Sequence, residues 1–307
     1  MQELKDKTDN GTFWVKRKLT GTVLMSIDNS LKRMVEVMEE SGLLPNSVIF
    51  VHSDNGAQVS SCEGHPGNNF PLRSMKFSYF EGGIRVPAFV YAPGRLQASR
   101  IGGSYHGLMH HVDLLATFYE IGSGTTPSAA DGLDSVSHWS AIVGDASSPR
   151  DELVLNLPRS PKWQLGQDAT SEGVALRIGK YKMLLFHAYD GWWAPIDGHQ
   201  DQMAFEATRC QFSWYTVGTD HLCEYVNFLF DLEADPHEQV NLWGMSDYAD
   251  IQANFISRAE ELVAEQGNYG KILYEWYMSM DKTSTDYKKA WKASNWYVSP
   301  WGCEVIP

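Results

Sequence analysis

The chain has 307 residues, 43% of them hydrophobic, and a net charge of −13. That is enough chain for a sizeable core and about two domains, and too acidic for the clustered Lys and Arg of a nucleic-acid footprint. No stretch approaches the ~20 consecutive apolar residues of a membrane span, and residues 1–18 are polar and charged rather than signal-like.

Leu24, Ile27, Leu31, Met34, Val35 and Met38 recur at helical spacing and Ser41-Gly42 follows as a stop, which predicts a helix that packs on a sheet. The next run, Ser47 to Ser53, reads as an apolar strand, and it delivers Asp54, Asn55 and Gly56 at its end. Loop residues just beyond strand ends converge on ligands in open α/β sheets. Asp54 and Asn55 offer oxygen donors only, which suits calcium, or magnesium, better than zinc. The plain alternative is a turn, because Asn and Gly tolerate positive φ and Asp caps its own backbone. By period-two alternation His52 shares a face with Asp54, and it reads as a packed neighbour rather than a ligand.

Val86 to Tyr91 reads as a second apolar strand. Leu108 to Ile121 reads as a second helix, with Val112, Leu115, Ala116 and Tyr119 on its inner face. His106, His110 and His111 cluster there, but a closed zinc site needs about four protein ligands and no further one stands nearby. From about residue 150 the pattern changes to strands and long loops: a strand pair over Val174 to Leu185 turning at Gly179, and another strand over Asn227 to Leu232. Strands without crossover helices predict an antiparallel sheet. Ile251, Phe255, Ile256, Ala259, Leu262 and Val263 predict one long amphipathic helix laid across it. The division is therefore 1–150 and 151–307. Tryptophan-rich stretches at 187–226 and 274–301 suit satellite cores or a contact surface for another chain, with a sugar-stacking rim as the further reading. Of the four cysteines, Cys210 and Cys223 are the favoured pair in an oxidising compartment; four reduced thiols are the alternative.

Three ordered blocks carry more. Ser53-Asp54-Asn55-Gly56 is followed by Asn68-Asn69-Phe70-Pro71-Leu72-Arg73-Ser74-Met75-Lys76, and then by Glu81-Gly82-Gly83-Ile84-Arg85-Val86-Pro87. This resembles the sulfatase family, with its S/T-D-N-G strand end, P-L-R-x-x-K and E-G-G-x-R-V-P, and within it the arylsulfatase B type. Further similar blocks are His110-His111-Val112-Asp113-Leu114, Asp131-Gly132-Leu133-Asp134, Ser148-Pro149-Arg150-Asp151, Arg177-Ile178-Gly179-Lys180-Tyr181-Lys182 and Asp231-Leu232-Glu233-Ala234-Asp235-Pro236-His237-Glu238.

The resemblance implies an alkaline-phosphatase-like α/β sandwich, of which this chain would be the C-terminal part, followed by a smaller domain with an antiparallel sheet and one long helix. It implies that Asp54 and Asn55 ligate a divalent cation, calcium first and magnesium second, and that Lys76 contacts the sulfate. The family's nucleophile, a formylglycine made from C/S-x-P-x-R, has no counterpart: Cys62, Cys210, Cys223 and Cys303 all lack Pro two residues on, and no serine fits. The family's Asp-Asp pair is absent as well. The expectation is a sulfuric ester hydrolase acting on a sulfated carbohydrate or aryl sulfate once an N-terminal half or other subunit supplies the nucleophile. A non-catalytic, sulfatase-derived structural or binding subunit is the alternative, and a phosphate- or phosphonate-ester enzyme of the wider superfamily is a weaker one. The resemblance also implies a secretory route, lysosomal or extracellular, with any signal upstream; the sequon Asn10-Gly11-Thr12 fits that route.

Overall fold

The computed structural model describes residues 12–60, 65–76, 78–128, 132–144, 146–158, 173–188 and 225–266. Two compact units emerge, Met1–Asn156 with Gly173–Phe255, and Leu157–Glu172 with Ile256–Pro307. All four cysteines and nearly all of the tryptophan-rich stretches expected at 187–226 and 274–301 lie outside the described residues.

The first unit opens with helix α1, Thr12–Glu40. It stops where expected: Gly42 adopts φ +69° and the N–H groups of Ser41, Gly42 and Leu43 bond back to the carbonyls of Val37, Glu39 and Met38. Only glycine reaches that left-handed cap at no steric cost. Strand β1, Ile49–His52, follows. A small ribbon joins β2, Val59–Ser60, to β3, His65–Pro66. Helix α2, Glu81–Ile84, is a single turn leading into β4, Ala88–Tyr91. β4 pairs antiparallel with β1, matching Ile49 to Tyr91 and His52 to Ala88. Helices α3, Asp113–Ser123, and α4, Trp139–Val143, complete this region.

The second region is the expected antiparallel sheet. Strands β5 (Glu152–Asn156), β6 (Val174–Ile178), β7 (Tyr181–Ala188) and β8 (Tyr225–Asp231) lie in sequence order, every neighbour antiparallel. Gly179, at φ +55°, turns β6 into β7. The register sets Lys182 opposite Phe230 and Leu184 opposite Phe228, so these four share one face. Onto that face Phe80 packs, fully buried with Ala175, Leu184, Phe228, Phe230 and Leu232. Helix α5, Ala249–Gln266, buries Phe255, Ala259 and Val263, three positions of the apolar stripe read from the sequence.

Two expectations about packing fail. On α1, none of residues 18–40 is fully buried, and Leu24 is 60% exposed. The two-stranded β1–β4 sheet is too narrow to cover a helix of that length. On α3, Ala116 is buried as expected, but Val112, Leu115 and Tyr119 are exposed, Leu115 at 61%. Periodicity marks which face of a helix is apolar, and it carries no information on whether the covering layer belongs to the same stretch of chain.

Candidate active site

β1 ends at His52, and the chain turns through Asp54 and Asn55 with the Ser53 hydroxyl bonded to the Asn55 carbonyl at 2.8 Å. Asp54 is exposed; one of its carboxylate oxygens accepts from the Asn55 N–H at 2.9 Å. The Asn55 amide nitrogen donates to the Gly56 carbonyl at 2.8 Å. The second Asp54 oxygen and the Asn55 side-chain oxygen have no partner among the described residues. Two adjacent oxygen donors thus stand ready at a strand end, which fits a hard divalent cation. They are a partial set: among the described residues no three His, Cys, Asp or Glu side chains gather as a metal cluster. His52 packs its ring 4.7 Å from that of His111 and bonds the Ser53 carbonyl through Nδ1, as a neighbour of the turn.

The loop that carries Lys76 is fastened to this turn. The Asn69 carboxamide accepts from the Ala57 N–H at 2.7 Å and donates to the Ala57 carbonyl at 2.8 Å and the Ser74 carbonyl at 3.2 Å. The Lys76 N–H bonds the Ala57 carbonyl at 3.1 Å, and the Gly56 N–H bonds Gly83 at 2.8 Å. This approach requires glycine: a Cβ on Gly56 would sit 1.8 Å from the Gly82 carbonyl, and one on Gly82 would sit 2.3 Å from that of Arg73. The Asp-Asn-Gly, Pro-Leu-Arg and Glu-Gly-Gly blocks are therefore three walls of one structure. Between them lies a cleft of about 370 Å³ whose lining includes Asn55, Gln58, Asn68, Lys76 and Arg85. Asn55 and Lys76 meet there, and Asp54 stands on the exposed turn beside it.

Sequence reasoning missed what holds this arrangement from behind. Arg73, Glu81, Lys182 and Glu238, each at most 2% exposed, form a charge-balanced cluster. Lys182 Nζ lies 2.8 Å from Glu81 Oε1 and 2.5 Å from Glu238 Oε1. The Glu81 N–H donates to Glu238 Oε2 at 2.7 Å, and Arg73 donates to the Glu238 carbonyl at 3.0 Å. The Arg73 guanidinium lies 4.2 Å from the Phe80 ring centre and 5.1 Å from that of Phe228. Burial, then the charge of Glu81, push the Glu238 carboxyl above its usual range against the pull of Lys182. Burial also opposes ionisation of Glu81, but Lys182, Arg177 and Arg85 outweigh it and hold that carboxyl low. The small sheet thus clamps both ends of the segment that bears Lys76.

A second hub ties α3 to the chain ahead of β5. Asp113 accepts from the N–H groups of His110 (2.8 Å) and Val136 (3.1 Å) and from Arg150 Nε (2.8 Å), with a further contact to the same guanidinium and His138 Nε2 at 3.3 Å. Burial works against its charge, yet the bonds from His138, Arg150 and the two N–H groups prevail and keep Asp113 well below the ordinary carboxylate range. Burial, and then His111, depress His110. Asp113, Asp134 and Arg150 come from three of the sequence blocks, and they meet because Arg150 also donates to the Asp134 carbonyl at 2.7 Å.

Solved structures with this fold include the PsFucS1 sulfatase from Pseudoalteromonas sp., with a TM-score of 0.54 and 19% identity over 80% of this chain and 42% of that one. Ps i-CgsB in complex with k-i-k-neocarrahexaose matches with a TM-score of 0.56 and 18% identity, over 86% of this chain and 45% of the other. The architecture is the alkaline-phosphatase-like α/β fold. In sequence, residues 15–124 match the family model Sulfatase. Arylsulfatase J of Mus musculus is 26% identical over 255 residues, 80% of this chain and 40% of its own length. Arylsulfatase A of Homo sapiens is 27% identical over 243 residues, 79% of this chain and 41% of its own. N-acetylgalactosamine-6-sulfatase of Canis lupus familiaris is 34% identical over 116 residues, 37% of this chain and 22% of its own. The chain is thus similar to the sulfatase family, through the model match at residues 15–124 and the arylsulfatases above, and it spans about 40% of the length of the arylsulfatases it matches.

Proposed function

We propose that this chain supplies half of a sulfuric ester hydrolase site: Asp54 and Asn55 as ligands of a divalent cation, calcium before magnesium, and Lys76 as the sulfate contact. The remaining ligands and the formylglycine nucleophile come from polypeptide outside these 307 residues. A bound cation would stabilise negative charge on the sulfuryl oxygens. Lys76 would place an ammonium against the same oxygens as the ester bond breaks, where a fixed charge favours the transition state over the ground state. Asn69, Gly56 and the buried cluster behind them hold that geometry. The single observation that carries this reading is that Asn55 and Lys76 line one cleft, beside a turn whose two spare oxygens have no partner among the described residues.

The uncovered apolar surface supports the need for a second half. Leu24 and Ile27 on α1, Leu115, Phe118 and Tyr119 on α3, and Phe89 and Tyr91 on β4 are all exposed. An isolated two-stranded sheet is marginal in water, and further strands beside β1–β4 would cover it. The N-terminal part of the same fold is the occupant this surface suits. Substrates in the class of sulfated carbohydrates or aryl sulfates, and a secretory route, follow from the family. No helix among the described residues is long and apolar enough to cross a membrane.

Intact-mass analysis of the natural material tests the reading. A covalently continuous or co-purifying segment bearing a cysteine converted to formylglycine is the expected result. Natural material in which no polypeptide carries that conversion would favour the non-catalytic subunit instead.

A further inference from the structure

We infer that Arg85 is a second anion-binding group in the cleft, and that the substrate carries a second negative charge, a carboxylate or another sulfate, beside the ester that Lys76 contacts. This rests on the reading of the cleft as a sulfate ester site and adds the class of substrate.

The argument begins with charge. The described lining of the cleft contains two cations, Lys76 and Arg85, and no carboxylate, although the chain as a whole carries −13. A sulfate monoester brings one negative charge, which Lys76 and a cation at Asp54 and Asn55 would already meet. Arg85 is surplus to that requirement.

Structure gives Arg85 a fixed base and an uncommitted head. Its N–H is bonded to the Glu81 carbonyl at 2.8 Å, and two residues earlier the Gly83 carbonyl accepts from the Gly56 N–H. Two residues later, Pro87 accepts from the Ser53 N–H at 3.3 Å. The 83–87 segment therefore runs beside the Asp54–Asn55 turn, and Arg85 stands in a constant position relative to it. The guanidinium has one ionic partner among the described residues, Glu81, at 3.8 Å, with 57% of the Arg85 side chain exposed. A pair that long and that exposed is worth little, and Glu81 already has Lys182 at 2.8 Å. What remains is a planar fork of donors facing a cleft, the geometry that reads carboxylate and sulfate in bidentate fashion, where Lys76 offers a point charge. Among the lining residues the carboxamides of Gln58 and Asn68 supply neutral polar contacts that suit hydroxyl groups around the two anions.

Calorimetric titration of the full chain at low ionic strength decides the matter, using glucose 6-sulfate, glucose 2,6-disulfate and a sulfated glucuronate as probes. A second anion should raise affinity at least tenfold over glucose 6-sulfate, and Arg85→Ala should remove most of that gain while Arg85→Lys keeps part of it. Whether the disulfate or the glucuronate shows the gain identifies the second group as sulfate or carboxylate. Equal affinity for all three probes, no binding of any, or a gain that survives Arg85→Ala would overturn the inference. Sulfate release from the same probes by the completed enzyme is scored separately: an Arg85-dependent gain without release leaves the anion site standing and removes the hydrolase.

Discussion

The β5–β8 sheet and the β1–β4 pair are both antiparallel and both rich in apolar residues, yet one is covered and the other is not. Leu176, Met183, Leu184, Leu185 and Leu229 on the first are fully buried, whereas Phe89 and Tyr91 on the second are exposed. The covered sheet holds the Lys76 loop through a buried ion cluster. The β1–β4 pair carries the Asp54–Asn55 turn and leaves α1 and α3 exposed. Burial thus separates the well-packed support of the Lys76 loop from the exposed surroundings of the Asp54 turn.

Breaking the support should have the largest effect. Glu238→Ala leaves Lys182 and Arg73 buried with less than their complement of charge, and loss of one partner from a buried pair costs about 3–5 kcal/mol; chemical denaturation of the variant should show it. A loss below about 1 kcal/mol would mean that the cluster is not holding the segment. Next, Gly56→Ala drives a Cβ against the Gly82 carbonyl, 1.8 Å away without relaxation, so the Asp-Asn-Gly turn must move. Overpacking of this kind costs up to ~3 kcal/mol, and chelator-sensitive metal binding should weaken with it.

A pH effect sharpens the sheet side of the comparison. Burial, followed by the charges of Lys182 and Arg73, lowers the His187 ring to about 4 from its ordinary 6.5. Its Nε2 accepts from the Tyr79 N–H at 3.4 Å, and its ring lies 5.3 Å from that of Phe80. The folded state prefers the neutral ring, so the contribution is complete above 6.5 and is lost as pH falls from there towards 4. With the ring partly accessible the loss is on the order of 2 kcal/mol, and melting curves of His187→Phe should lack that portion of the acid dependence. The smallest effect belongs to the bare face. Replacing Leu115 and Tyr119 together by serine should change the stability of this chain by less than about 0.5 kcal/mol, yet greatly weaken its association with the complementary half in a pull-down. A large loss of stability in the chain alone would show that the face is already covered.

The turn at Asp54, the strand before it, the Lys76 loop and the Gly179 hairpin were legible because each is local: a run of apolar residues, a punctuating Gly, a motif in one stretch. The buried cluster was not legible as such. Arg73, Glu81, Lys182 and Glu238 lie far apart in sequence, and each alone reads as a solvated charge. One signal was present. Lys182 falls two residues before Leu184, on the inward register of an otherwise apolar strand, a position where a lysine needs an anionic partner. The exposure of α1 and α3 was hidden for the opposite reason. Their apolar stripes predict faces packed on a sheet, and the sheet beside α1 has only two strands, so those faces stand exposed.

The most direct test is sulfate ester turnover by this chain in complex with the complementary N-terminal half, beside the same complex carrying Lys76→Ala and beside the chain alone. Turnover by the complex, a loss of more than about tenfold on Lys76→Ala, equivalent to ~1.4 kcal/mol of transition-state stabilisation, and none by the chain alone is the predicted result. Hydrolysis by the 307-residue chain unaided, or turnover by the complex that is indifferent to Lys76, would contradict it.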